Sequence, residues 1–177
     1  MGTNIRYADK NDEDVLAMIN SKAFCKAFKG IIPDTTLESR FSYESLRERF
    51  YEELSKGSTS NALIFNDNTP VGMITFERSE NYEGDKSEIE IWRIYILPEY
   101  WGQRIGAELM KWVIRELRRK KYKKVSLWVI GQNTRARSFY EKLGFKHEGI
   151  TRIINPGKEI IDYKYVKDLQ ELNCFEG

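Results

Sequence analysis

A chain of 177 residues, 41% apolar and 32% charged with a mean hydropathy of −0.59, can bury a core without disulfides or metals and is expected to form one domain over residues 1–177. Its 29 Lys and Arg against 27 Asp and Glu leave a net charge of +2, too small to argue for nucleic acid or a membrane surface as a partner. Cys25 and Cys174 form no CxxC pair and His147 is the sole histidine, so a metal site or disulfide framework is disfavoured and a reducing, cytoplasmic location is expected. The polar N-terminus lacks the apolar run of a signal peptide, and no segment approaches a membrane span.

Asn4–Ala8 reads as a short strand. Asp9, Asn11 and Asp12 offer caps for an amphipathic helix carrying Val15, Leu16, Met18 and Ile19 and running to about Phe28. After the break at Lys29–Asp34, Leu37, Phe41, Leu46, Phe50 and Leu54 suggest a second helical stretch, with Gly57 beyond its end. Most aromatics of these two stretches are assigned to the core. Asn61–Phe65 and Val71–Phe76 read as strands joined at Asn66–Thr69 by a hairpin turn, and Arg78–Ser87 as a polar loop.

The next stretch organises the chain. Ile89–Leu97 is almost wholly apolar and reads as a strand buried on both faces. Pro98 ends it, and a turn through Gly102 feeds a periodic helix with Ile105, Leu109, Trp112, Val113 and Leu117 on one side. Strand, glycine turn and helix present consecutive backbone N–H donors, Gly102 to Ala107, with Gln103 and Arg104 beside them: an anion seat needing no metal. Neither GxGxxG nor GxxxxGK[ST] is satisfied, so a nucleoside triphosphate or dinucleotide is disfavoured. The basic run from Arg118 to Lys124 fits a solvated helix C-terminus better than a nucleic-acid patch.

Lys124–Ile130 is a second central strand. Asn133 then opens a helix with Ala136, Phe139, Tyr140 and Leu143 on its apolar side, closed by Gly144, and strands Phe145–Ile154 and Glu159–Val166 flank a turn at Asn155–Lys158. Strands alternating with helices, with hairpins at both ends, give an α/β or α+β sheet with helices on both faces. Two neighbouring parallel strands, each leading into a helix, bring Asn133 beside the glycine turn. Asn133 fits equally a helix cap and a ligand contact. Tyr140 fits a core position or, beside an anionic leaving group, a proton donor.

Leu97–Met110 and Asn133–Phe145 together resemble the GCN5-related N-acetyltransferases, over roughly Ile5 to Asp168. The second segment follows the family's wording closely. In the first, Trp101 stands where the family has Gln or Arg, and Arg104 where it has a glycine. The resemblance implies a mixed, mostly antiparallel sheet of about seven strands with a splayed central pair, and transfer of an acetyl group from acetyl-CoA to a primary amine. It implies coenzyme contacts at Ile94, Ile96, Gly102, Gln103, Arg104, Ile105, Gly106, Ala107, Asn133 and Arg137, with no metal, and makes Tyr140 the acid. Glu90 is then the base, acting through water, with Glu88 in reserve; an exposed strand carboxylate explains Glu90 equally well. Members that acetylate a ribosomal N-terminus carry a glutamate where this chain has Trp128, so a small amine or polyamine is the acceptor expected. Protein lysine or N-terminal acetylation, and a non-catalytic acetyl-CoA sensor, are the alternatives. An amine substrate is the partner expected, and a homodimer is left open.

Overall fold

The computed structural model describes residues 2–77 and 86–170. The loop expected from Arg78 to Ser87 therefore lies outside the described residues except for its last two positions. The elements run β1 (Thr3–Tyr7), α1 (Glu13–Phe28), α2 (Asp34–Arg40), α3 (Tyr43–Lys56), β2 (Ser60–Asn66), β3 (Thr69–Glu77), β4 (Glu88–Ile96), a 3-10 turn (Pro98–Tyr100), α4 (Ile105–Arg119), β5 (Lys124–Ile130), α5 (Thr134–Lys142), β6 (Lys146–Ile154) and β7 (Ile160–Asp168).

The strands form one sheet in the order β1-β2-β3-β4-β5-β7-β6. β4 and β5 are its parallel pair, and the other neighbours are antiparallel. Side-chain alternation along β2 and β3 divides two cores. Ala62, Ile64 and Ile74 join Leu109, Val113 and Leu117 of α4, whereas Leu63 and Met73 meet Leu16, Leu46 and Phe50 of α1 and α3. A third apolar cluster, Phe24, Phe28, Leu37, Ile130 and Ile160, ties the end of α1 and α2 to the β5–β7 pair. No helix among the described residues is long and apolar enough to cross a membrane.

The expected turn chemistry is present. Asp67 and Asn68, at φ 45° and 68°, make the two-residue left-handed connection that suits the twist of a hairpin. Gly57 ends α3 at φ 62°. Asp12 is used differently from a simple cap. Its carboxylate takes both guanidinium N–H groups of Arg6, at 2.6 and 2.8 Å, and the Asp9 N–H at 2.8 Å, and Arg6 holds the acid below its usual range.

Two expectations need correction. The single helical stretch from Leu37 to Leu54 is two helices, α2 and α3. The step from Phe41 to Leu46 is five residues, too long for one helical face. At that step the Ser42 hydroxyl accepts the Ser45 N–H at 3.2 Å and starts α3, and the Phe41 ring stacks on Phe24 at 3.8 Å. The second correction is to β4, which is not buried on both faces. Ile89, Ile91 and Leu97 are buried, but Trp92 is 44% exposed and Ile94 and Ile96 are half-buried. The cause is the sheet itself. β4 pairs with β5 only from Glu88↔Lys124 to Ile91↔Leu127, after which the two strands part.

Candidate active site

A bulge accompanies the parting of β4 from β5. Thr75 pairs with Arg93 and Phe76 with Ile91, so Trp92 has no opposite residue in β3. The extra residue reverses which side chains face which core. Ile89 and Ile91 face α4 before it, and Ile94 and Ile96 face α4 after it. Glu88 and Glu90 consequently share a face with Arg93, Tyr95 and Leu97, the face covered by α1 and α3.

Backbone directions follow from the register. The Leu97 N–H bonds to the Val71 carbonyl at 2.9 Å, and Ile96 stands opposite Gly72. That makes Gly72–Ile96 a non-hydrogen-bonded pair, so the Ile96 N–H and C=O point away from β3, and those of Ile94 do likewise. They point into the gap that β5 leaves. Gly72 is needed for this fit, because a Cβ there would lie 2.3 Å from Ile96 Cδ1 and 2.8 Å from Ile64 Cγ2. The Ile96 carbonyl accepts the indole N–H of Trp101 at 2.7 Å, leaving its N–H for a ligand.

Above the gap lies the glycine turn. The backbone N–H groups of Gly102, Gln103, Arg104, Ile105 and Gly106 have no partner among the described residues. Ala107, expected to share in the row, instead bonds to the Arg104 carbonyl at 2.9 Å. Arg104 is the residue before α4 and sits at φ 64°. A left-handed backbone explains why a glycine suits this position, and it costs an arginine about 1 kcal/mol. The Gln103 side chain donates to the Glu99 carbonyl at 3.0 Å, which steadies the turn. Five aligned donors at the start of a 15-residue helix form an anion seat.

α5 supplies the other wall. Asn133 is a helix cap, its side-chain oxygen accepting the Ala136 N–H at 3.1 Å, and its amide nitrogen remains available for a ligand. Arg137 is held at the base of α5, its Nε donating to the Tyr165 hydroxyl at 3.1 Å and its Nη1 to the Gly131 carbonyl at 3.4 Å. Arg135 was not singled out from the sequence, yet its guanidinium lies 4.0 Å from the centre of the Trp101 ring. A cation thus reaches the corner where the family pattern carries Gln or Arg. No spacing rule connects residues 101 and 135.

Tyr140 is 8% exposed and packed edge-on against Phe139 and Phe145. Its hydroxyl has no hydrogen-bond partner among the described residues. Burial, reinforced by Tyr95, raises its pKa above the ordinary phenol value. Tyr95 on β4 is itself pushed up to about 12 by burial. The two phenols therefore stand near each other across the splay and both stay protonated at neutral pH. Tyr95 was not singled out from the sequence, because it sits inside the apolar run of β4.

Glu90 is half-buried on the face opposite α4. Loss of solvation raises its pKa above the normal carboxylate range. Arg152 and then Lys164 pull it down, Glu88 pushes it up, and the Trp128 indole pulls down more weakly. Glu88 is engaged by Lys164 at 3.0 Å, so of the two carboxylates Glu90 is the one whose proton affinity is raised by burial with no ion pair among the described residues to hold it charged.

A parallel strand pair that parts after Ile91, with a row of free N–H donors at the turn before α4, is an arrangement that suits a ligand bearing a phosphate. The comparisons make this specific. The Acetyltransferase (GNAT) family model matches residues 27–145. A spermidine N(1)-acetyltransferase of Thermoplasma acidophilum is 26% identical over 152 residues, covering 84% of this chain and 91% of that protein. An uncharacterized N-acetyltransferase of Mycobacterium bovis is 28% identical over 158 residues, covering 89% and 98%. Among solved structures, the PaiA N-acetyltransferase of T. acidophilum in complex with coenzyme A superposes with a TM-score of 0.72 at 24% identity, covering 95% of this chain and 99% of that one. The chain belongs to the GNAT acetyltransferase family, and it is an acetyl-CoA-dependent N-acetyltransferase.

Proposed function

We propose that the chain moves the acetyl group of acetyl-CoA to a small primary amine or a polyamine by direct attack of the amine on the thioester. The observation that carries this reading is the parting of β4 from β5 after Ile91. It turns the Ile94 and Ile96 backbone into a gap bounded by the N–H-lined turn on one side and Tyr140 on the other. The spermidine N(1)-acetyltransferase among the relatives puts polyamines among the acceptors to test.

The residues present suit acetyl-CoA. The turn from Gly102 to Gly106 offers five donors to a pyrophosphate, with Arg104 as the nearby charge. The Ile94 and Ile96 backbone and the Asn133 amide are placed for the amide-bearing arm, and the Ile96 N–H suits the thioester carbonyl, where it would stabilise the developing oxyanion. Glu90 takes a proton from the acceptor ammonium through water, so that a neutral amine attacks the carbonyl carbon. As the C–S bond breaks, Tyr140 donates its phenolic hydrogen to the sulfur. A thiol has a pKa near 8.5 in water, below that of the buried phenol. Full transfer is therefore favoured only because the same low-polarity wall also disfavours a bare thiolate.

The test is release of free CoA thiol from acetyl-CoA across a panel of monoamines, diamines, polyamines, amino acids and peptides. Amine-dependent release with small amines or polyamines supports the proposal. Release with peptides alone moves the acceptor to protein. Tight acetyl-CoA binding with no release by any amine overturns the proposal.

A further inference from the structure

The acceptor side carries a second built feature, which rests on the acetyl-transfer reading above. Arg152 leaves β6, next to β7 at the end of the sheet, and crosses β7 to lie on Trp128 of β5, its guanidinium 4.2 Å from the ring centre. Two strand spacings separate β6 from β5, about 10 Å, so the contact bridges the full width of β7. One further spacing leads to β4, and Glu90 stands there opposite Ser126, two residues before Trp128. Glu90, Trp128, Asp162 and Arg152 share one face: Trp128 pairs with Lys164, two residues along β7 from Asp162, and Asp162 pairs with Arg152.

Arg152 is locked from beneath. Its Nε and Nη2 both donate to Oδ2 of Asp162, at 3.2 and 3.1 Å. Asp162 is 4% exposed, and its other oxygen is buried without a partner among the described residues. The Arg152 side chain is 47% exposed. Its Nη1 end has no partner among the described residues, so a planar, charged donor set is oriented by a buried carboxylate and an indole face and left open on one side. Two contacts that fix a guanidinium without exhausting its donors are what a preorganised carboxylate receptor requires. A free polycation would meet Arg152 head-on, whereas a molecule with an ammonium and a carboxylate would meet Glu90 with the first and Arg152 with the second.

We infer that Arg152, held by Asp162 and Trp128, is a carboxylate receptor, and that the acceptor is a small amine bearing a carboxylate, such as a free amino acid. The amine is acetylated and the carboxylate undergoes no chemistry.

The experiment compares amino acids with their own carboxamides, and both with putrescine and spermidine, by CoA thiol release. In the unaltered protein, kcat/KM for the carboxylate should exceed that for the matched carboxamide about 10- to 100-fold, the range for hydrogen bonds to a charged group, with the difference in KM. Arg152→Gln should bring that ratio close to one. Arg152→Lys keeps a charge without the fork and should give an intermediate ratio. Because the readout is a ratio within each variant, a general loss of activity does not mimic it. Carboxamides or polyamines used as well as amino acids by the unaltered protein overturn the inference and leave the acetyl-transfer reading standing. A ratio unchanged by Arg152→Gln also overturns it. No thiol release with any amine overturns both.

Discussion

The two sides of the splayed strand pair are built from different materials. On the side proposed for the coenzyme the groups are mostly backbone: five N–H donors in the turn before α4, and the Ile94 and Ile96 peptides turned away from β3 by the register, with the side chains of Arg104, Asn133 and Tyr140 added. On the acceptor side they are side chains from β4, β5, β6 and β7: Glu90, Trp128, Arg152 and Asp162. A backbone site is set by where strands and helices begin and end, so many sequences can carry it. A side-chain site changes with each substitution. The first side accordingly belongs to the family, and the second holds whatever is particular to this chain.

The sharpest way to break this division is at Tyr140, whose proposed role on the coenzyme side rests on a side chain. Tyr140→Phe keeps the ring that packs on Phe139 and Phe145 and removes only the hydroxyl. We expect kcat to fall by about 10²- to 10³-fold, within the range for a lost general acid, with the KM for acetyl-CoA little changed. Steady-state kinetics with varied acetyl-CoA reads both. A parallel rise in that KM would mean that the hydroxyl binds the coenzyme and does not serve the leaving thiolate.

Glu90 comes next. Its pKa is raised chiefly by burial, and it must be ionised to accept a proton. Activity should therefore climb with pH through a value above the normal carboxylate range. Glu90→Gln should lower kcat/KM by about 100-fold, the low end of the range for a lost general base, and erase that limb of the pH profile. A limb that survives the substitution belongs to the acceptor amine or another group, and the base assignment then fails.

How much of this was legible follows the same division. The strand–turn–helix at Leu97–Met110 and the cap and apolar stripe of α5 are local patterns, so the N–H row before α4, the Asn133 cap and the apolar setting of Tyr140 could be read from spacing. The bulge at Trp92 could not, because it is defined by a partner strand: Thr75 opposite Arg93, Phe76 opposite Ile91. Without it the apolar run reads as a uniformly buried strand. Arg152 was invisible for a related reason. It lies in a strand that is exposed along most of its length, and what singles it out is a reach across β7 to Trp128. The division of the Leu37–Leu54 stretch was readable, since the five-residue step from Phe41 to Leu46 precedes a serine cap.

A third test weighs the ion pair that supports the floor of the acceptor side from α3. Arg93 makes a two-pronged pair with Glu53, both bonds at 2.8 Å, and lies 5.0 Å from the centre of the Phe50 ring. Both side chains are mostly buried, 13% and 14% exposed. Glu53→Ala leaves the guanidinium uncompensated beside β4 and should cost about 3 kcal/mol of stability, read by denaturant unfolding. The coenzyme side should feel it little, because that side is fixed by the β3–β4 register. A loss of acetyl-CoA affinity as large as the loss of stability would show the two sides to be mechanically one.

The smallest effect expected is at Arg104, where backbone and side chain oppose each other. The residue is held at φ 64°, a conformation that costs a non-glycine residue about 1 kcal/mol. Arg104→Gly removes that strain, although the added freedom of glycine in the unfolded chain returns part of the gain. The net change in stability should lie within about 1 kcal/mol of zero and on the favourable side. The same substitution deletes the charge carried by the turn itself, and a charge at such an exposed site is worth about 0.5–1 kcal/mol, so acetyl-CoA should bind roughly two- to fivefold more weakly. Raising the salt concentration should shrink that difference, because screening weakens the arginine's attraction and leaves the N–H bonds almost untouched. Equal affinity at low salt would mean that the five backbone donors suffice, with Arg104 contributing strain alone. A gain in affinity would mean that its side chain crowds the pyrophosphate, and that glycine is favoured here for space as well as for conformation.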